Sequence, residues 1–178
     1  MRTITFVTAA LTVALATPVY AQSVPERTGV NSVLGVAPKT EDFVKEVAVS
    51  DMFEIESSKL AQQKASAAPV KTFAGQMVTD HTKTSTELKG LVSGGKVKAE
   101  VPAAMDSSHQ SKLDKLKGLN GADFDKQYVS DQQGAHKDAV DLFERYAKGG
   151  DNAELKTWAG KTVPALKHHK EMADQLPK

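Results

Sequence analysis

Four long stretches of this sequence repeat apolar side chains at spacings of three, four and seven. No window alternates apolar and polar residues as a half-buried strand would, so the chain is read as all-α. The first helix is expected over about 41–67, with Phe43, Val47, Glu54, Ala61 and Ala65 on one stripe, broadened by Met52, Ile55 and Leu60. Thr40 stands as its N-cap, and Glu41 and Asp42 suit its first turn. The second is expected over 69–92, opened by Pro69 and closed by Ser93-Gly94-Gly95, with Val70, Phe73, Ala74, Met77, His81, Thr84, Leu88 and Leu91 inward. The third, over 122–148, turns Phe124, Tyr128, Gln132, Ala135, Ala139, Leu142, Phe143 and Tyr146 to the core. Gly149-Gly150 breaks it, and Asp151 or Asn152 caps a fourth helix reaching about residue 176. Its inward stripe is Leu155, Trp158, Ala159, Thr162, Leu166, His169, Ala173 and Leu176, and its internal Pro164 is expected to kink it.

The links decide the topology. Helices one and two, and three and four, are joined by only a few residues, which makes each pair antiparallel. Between helices two and three lie residues 94–121, with a shorter helix expected over about 103–119 on Met105, His109, Leu113 and Leu116. A connection of that length can run back along the molecule. Two antiparallel pairs joined by one long, partly helical crossover make the ferritin-like form of the four-helix bundle. An antiparallel second-to-third step with a decorated loop is the other topology this pattern allows.

The amino terminus reads as an address. Met1-Arg2-Thr3 precedes Ile4–Ala16, apolar but for threonines, and Val19 and Ala21 place small or short side chains before a cleavage point. This is the three-part pattern of a secretory signal peptide over residues 1–21, shorter than the roughly 20 apolar residues of a membrane span. Residues 22–39, with Pro25, Gly29, Gly35 and Pro38, read as a flexible arm, and 40–177 as the folded domain. Arg2 is the only charged residue before the cut, so the formal net charge of +1 falls to zero in the mature chain. A neutral chain with 6% aromatic residues argues against a nucleic-acid binder. No later segment is apolar enough to span a bilayer, and the expected location is the periplasm.

Cysteine is absent, which excludes disulfides, thiolate metal sites and cysteine nucleophiles. No P-loop, GxSxG, HExxH or EF-hand pattern occurs. What stands out is one ionisable residue on or beside each apolar stripe: Glu54, His81, His136 and His169. Ionisable groups facing a core are costly unless paired, and one inward group per helix is how bundles build metal sites. Counted from the turn near residues 67–69, Glu54, His81 and His136 rise roughly 21, 18 and 21 Å, while His169 falls about a turn and a half lower. Imidazole and carboxylate suit iron, copper, zinc or manganese, with Asp80 and Tyr128 as outer support. The Glu-x-x-His pairs of a di-iron site are missing, since Val78 and Leu166 stand three before His81 and His169. Met77 with His81, and His169 with Met172, form a thioether and imidazole alternative suited to Cu(I), though methionine is as readily a core filler. His168, about 100° round the helix from His169, is expected in solvent, and His109 at a boundary.

With these residues the chain resembles a bacterial family of exported proteins called domain of unknown function 4142. The resemblance rests on Glu54-Ile55-Glu56-Ser57-Ser58-Lys59-Leu60-Ala61 and on Phe73-Ala74-Gly75-Gln76-Met77-Val78-Thr79-Asp80-His81. Phe124-Asp125, Tyr128-Val129, His136, Pro164, Leu166, His169 and Ala173 continue it. It implies a ferritin-like fold and a periplasmic or outer-membrane-associated location, and it marks His169 rather than His168 as the motif histidine. It implies no biochemical activity.

Two functions follow as expectations. One is an exported helical bundle that binds a transition metal at Glu54, His81, His136 and His169. The other is a metal-free structural or interaction module of the cell envelope, serving stress tolerance, whose buried polar groups fix helix register. An enzyme would need an open coordination position and a pocket, which sequence does not display.

Overall fold

In the computed structural model, residues 30–177 are described, and all their regular structure is helical. The expected signal peptide and the first part of the arm lie outside these residues. Six helices follow in order: α1 Val30–Leu34, α2 Thr40–Lys64, α3 Ala68–Ser93, α4 Ser107–Lys117, α5 Gly121–Gly149 and α6 Ala153–Asp174. The four long ones match the four periodic stretches. The arm differs from expectation in holding α1, which packs on α5. Among the described residues, no helix is long and apolar enough to cross a membrane.

Local chemistry sets several helix ends. Asp106 caps α4 by accepting from His109 N at 2.9 Å, and Asn152 caps α6 by accepting from Leu155 N at 2.9 Å. Pro69 occupies the first turn of α3, where its missing N–H costs nothing. After α3 the chain reverses through Gly95, whose φ of +72° suits glycine. Thr40 is not the N-cap of α2; Lys39 holds that position without a side-chain cap. The Thr40 hydroxyl instead meets Tyr146 Oη at 2.6 Å and donates to Asp151 Oδ1. The tertiary pair with α5 wins over the local cap.

α2 packs along α3 and α5 along α6, and the pairs meet through α2 on α5 and α3 on α6. The apolar side chains separate into two clusters. One joins Phe53 and Ala61 of α2, Phe73 and Met77 of α3, Leu113 and Leu116 of α4, Phe124 and Tyr128 of α5, and Ala173 of α6. The other joins Phe43 and Val47 of α2, Leu88 of α3, Leu142 and Tyr146 of α5, and Leu155 and Leu166 of α6. The start of α5 thus shares a cluster with the start of α3 and the end of α2. The segment carrying α4 therefore returns the chain from the far end of α3, and neighbouring long helices are antiparallel. Each large side chain removed from water contributes about 1.5–3 kcal/mol. In the second cluster Phe43 stacks on Tyr146 with ring centroids 4.0 Å apart. Between the clusters lies a layer of buried polar residues.

Candidate metal centre

That layer holds Glu54, His81, Gln132, His136 and His169, all buried. Their helix stripes carry them inward at the level where the two apolar clusters separate. The rings of His81, His136 and His169 form a near-equilateral triangle, with centroids 5.6, 5.7 and 5.4 Å apart. Each offers a nitrogen within 4.8 Å of the other two.

The second nitrogen of every ring is held by an oxygen. His81 Nδ1 donates to Asp51 Oδ1 at 2.8 Å, and Ser85 Oγ donates to Asp51 Oδ2 at 3.1 Å. His136 Nδ1 donates to the Gln132 carbonyl at 3.0 Å. His169 Nε2 donates to Asp80 Oδ2 at 2.9 Å. Oxygen acceptors on one side place the proton there, so whenever the ring is neutral the other nitrogen carries the lone pair. Those other atoms, His81 Nε2, His136 Nε2 and His169 Nδ1, are buried and have no hydrogen-bond partner. Buried polar atoms are seldom left so, and the three histidines together could hold a metal ion. The ligand type suits a single ion taken by imidazole nitrogens.

Electrostatics follow the same geometry. Burial works against a charge on His81, but the Asp51 hydrogen bond and charge, with Glu54 and Asp80 behind them, raise its pKa above the usual value. Burial lowers the His136 pKa to about 3, with the His81 charge adding to the effect. Burial and His81 also lower that of His169, against the pull of Asp80. Burial raises the Glu54 pKa to about 7, opposed by His81 and the Gln132 amide.

The structure gathers three of the four expected ligands and sets Glu54 beside them. Glu54 is 2% exposed, and neither of its carboxylate oxygens has a hydrogen-bond partner. His169 joins the triangle, although counting from the α2–α3 turn put it lower. Asp80 supports His169 across the α3–α6 contact, not its sequence neighbour His81. Tyr128 Oη pairs with Ser58 Oγ at 2.8 Å rather than with a histidine. Asp51 is the residue that sequence reading missed. It fills the empty step between Val47 and Glu54, four after one and three before the other, and that gap was the available signal. Met77 and Met172 both pack in the first apolar cluster. His168 is exposed, and His109 is half-buried against Asp106.

Comparison with known proteins adds three findings. No curated protein matches the sequence. A solved structure described as CopM in the Cu(II)-bound form has a TM-score of 0.65 with 19% sequence identity, covering 79% of this chain and 96% of that one. At that identity the likeness is one of fold. The family described as domain of unknown function matches residues 25–176, and the chain belongs to that family, DUF4142.

Proposed function

We propose that this chain is an exported, ferritin-like four-helix bundle that binds one transition-metal ion between its helices, through His81, His136 and His169. The observation that carries the reading is the convergence of three buried, unpartnered ring nitrogens whose opposite nitrogens are each tied to an oxygen. Copper(II) is the first candidate. Imidazole suits copper, zinc and iron, and Cu(II) stands highest in the divalent affinity order. The fold likeness to a protein described in a Cu(II)-bound form supports the same choice. The long return through α4 supports the crossover bundle, and the amino-terminal address supports a periplasmic location.

The test is metal binding by the mature chain from Gln22. Dialysed protein should hold one copper per chain by elemental analysis. Saturation at about 100 times Kd should add about 2.7 kcal/mol of stability. His136→Ala should lose the copper and the stabilisation. A chain that retains no copper, zinc, iron or manganese and melts at the same temperature with each of them would overturn the reading.

The second reading is a metal-free envelope module. His81–Asp51 ties α3 to α2 and His169–Asp80 ties α6 to α3, so the same residues also fix helix register. It is favoured if metals leave the melting temperature unmoved while His81→Ala lowers it.

A further inference from the structure

A cavity of about 390 Å³ lies between α2 and α5 and leads inward from the surface to His81 and His136. Its outer wall includes the exposed Ser32, Lys112 and Asp138, and its inner wall includes His81, His136, Asp51 and Glu54. His169 is not part of that wall. The cavity thus meets the triangle on one side only. Three imidazoles leave a four-coordinate ion one donor short. Glu54 is outside the group of mutually close donors, yet it faces this space with both oxygens unpartnered.

Charge and size narrow what could enter. Glu46, Asp138 and Asp141 join Asp51 and Glu54 along the wall, against Lys112 and Arg145. Carboxylates in excess oppose anions. The volume is at the small end of ligand pockets, which run from about 300 to 1,000 Å³. We propose that this cavity is a ligand subsite, opening the metal centre to a small neutral nitrogen or oxygen donor of imidazole size or less, with Glu54 accepting that ligand's N–H or O–H. It rests on metal occupancy of the three histidines. The centre is then an exchangeable one, built for a fourth ligand from solution.

The probe is imidazole added to the copper-loaded mature protein, followed by visible absorption and electron paramagnetic resonance, with copper retention checked after desalting. A saturable shift to one equivalent is expected with copper retained. 1-Methylimidazole, which lacks the N–H, should bind less tightly than imidazole to the native chain, and the difference should vanish in Glu54→Leu, which removes the acceptor. Ala139→Phe fills the cavity and should weaken imidazole about tenfold while copper stays bound. Ala135→Leu, at a half-buried wall position, serves the same purpose should the larger residue disturb folding. Copper-loaded protein that shows no spectral change, or cavity-filled variants that bind imidazole as the native chain does, would overturn the subsite and leave metal binding standing. Failure to hold copper at the outset overturns both.

Discussion

Each histidine of the triangle gives one ring nitrogen to an oxygen acceptor, and that second contact decides how good a ligand the ring is. An acceptor fixes the tautomer and raises the basicity of the opposite nitrogen. Asp51→Asn and Asp80→Asn keep shape while removing charge, and each should lower copper affinity about 10- to 100-fold in a chelator competition. Unchanged affinity would mean that the carboxylates hold helices only. Glu54 carries a separate pH signature. Its pKa rises from 4.5 in model peptides to about 7 in the fold, mainly through burial. The folded chain therefore holds this proton more tightly than the unfolded chain, and the associated stability is complete below about pH 4.5. It is lost as pH rises toward and through 7, as the buried carboxylate becomes charged. Glu54→Gln should leave metal-free stability nearly unchanged at pH 4.5 and raise it at pH 8 by on the order of 3 kcal/mol. Urea denaturation at the two pH values measures it, and an equal effect at both would refute the account. The inward set of Glu54, His81, His136 and His169 was legible because burial follows helical period. Their partners were not, because Asp51 and Asp80 act across helix contacts that periodicity does not encode.

At the level of elements, the helices were legible and their fastenings less so. Apolar period and Gly or Pro breaks place α2, α3, α5 and α6 to within a few residues. Thr40 shows the limit: it has the side chain of an N-cap, but Tyr146 and Asp151, far along the chain, engage its hydroxyl. The α2–α3 turn shows the same thing more strongly. Asp125 of α5 accepts from Ser66 N at 3.0 Å and Ala67 N at 2.9 Å, and from the Ser66 hydroxyl. One carboxylate thus satisfies two backbone donors at the turn into α3 and pins that turn to α5. Sequence offers Phe124-Asp125 as a motif without saying what the aspartate holds. Asp125→Ala should leave those donors unpaired and cost about 1–3 kcal/mol, read as a lower urea midpoint with an unchanged slope. A loss under about 0.5 kcal/mol, the range of an ordinary surface change, would show that water replaces the carboxylate there.

Across the whole molecule, the polar layer divides what would otherwise be one continuous core. One apolar cluster lies toward the α2–α3 turn and the other toward the α5–α6 turn, with the three imidazoles between them. Such a layer is a weak waist without metal. Its unpartnered nitrogens and the Glu54 carboxyl contribute no hydrogen bonds to offset their desolvation. An ion held by His81, His136 and His169 would join α3, α5 and α6 directly, while α2 would feel it only through Asp51 and packing. Hydrogen exchange should therefore respond unevenly. Copper at about 100 times Kd should slow globally exchanging amides about 100-fold, corresponding to 2.7 kcal/mol. Amides that open locally should gain most around residues 81, 136 and 169, and less in α2. Mass spectrometry of peptides from each helix can separate these patterns. Protection confined to the two turns, with no change in the middle of α3, α5 and α6, would place the ion elsewhere. Protection that spreads from the waist into both clusters would show one buried ion coupling two half-cores into a single cooperative unit.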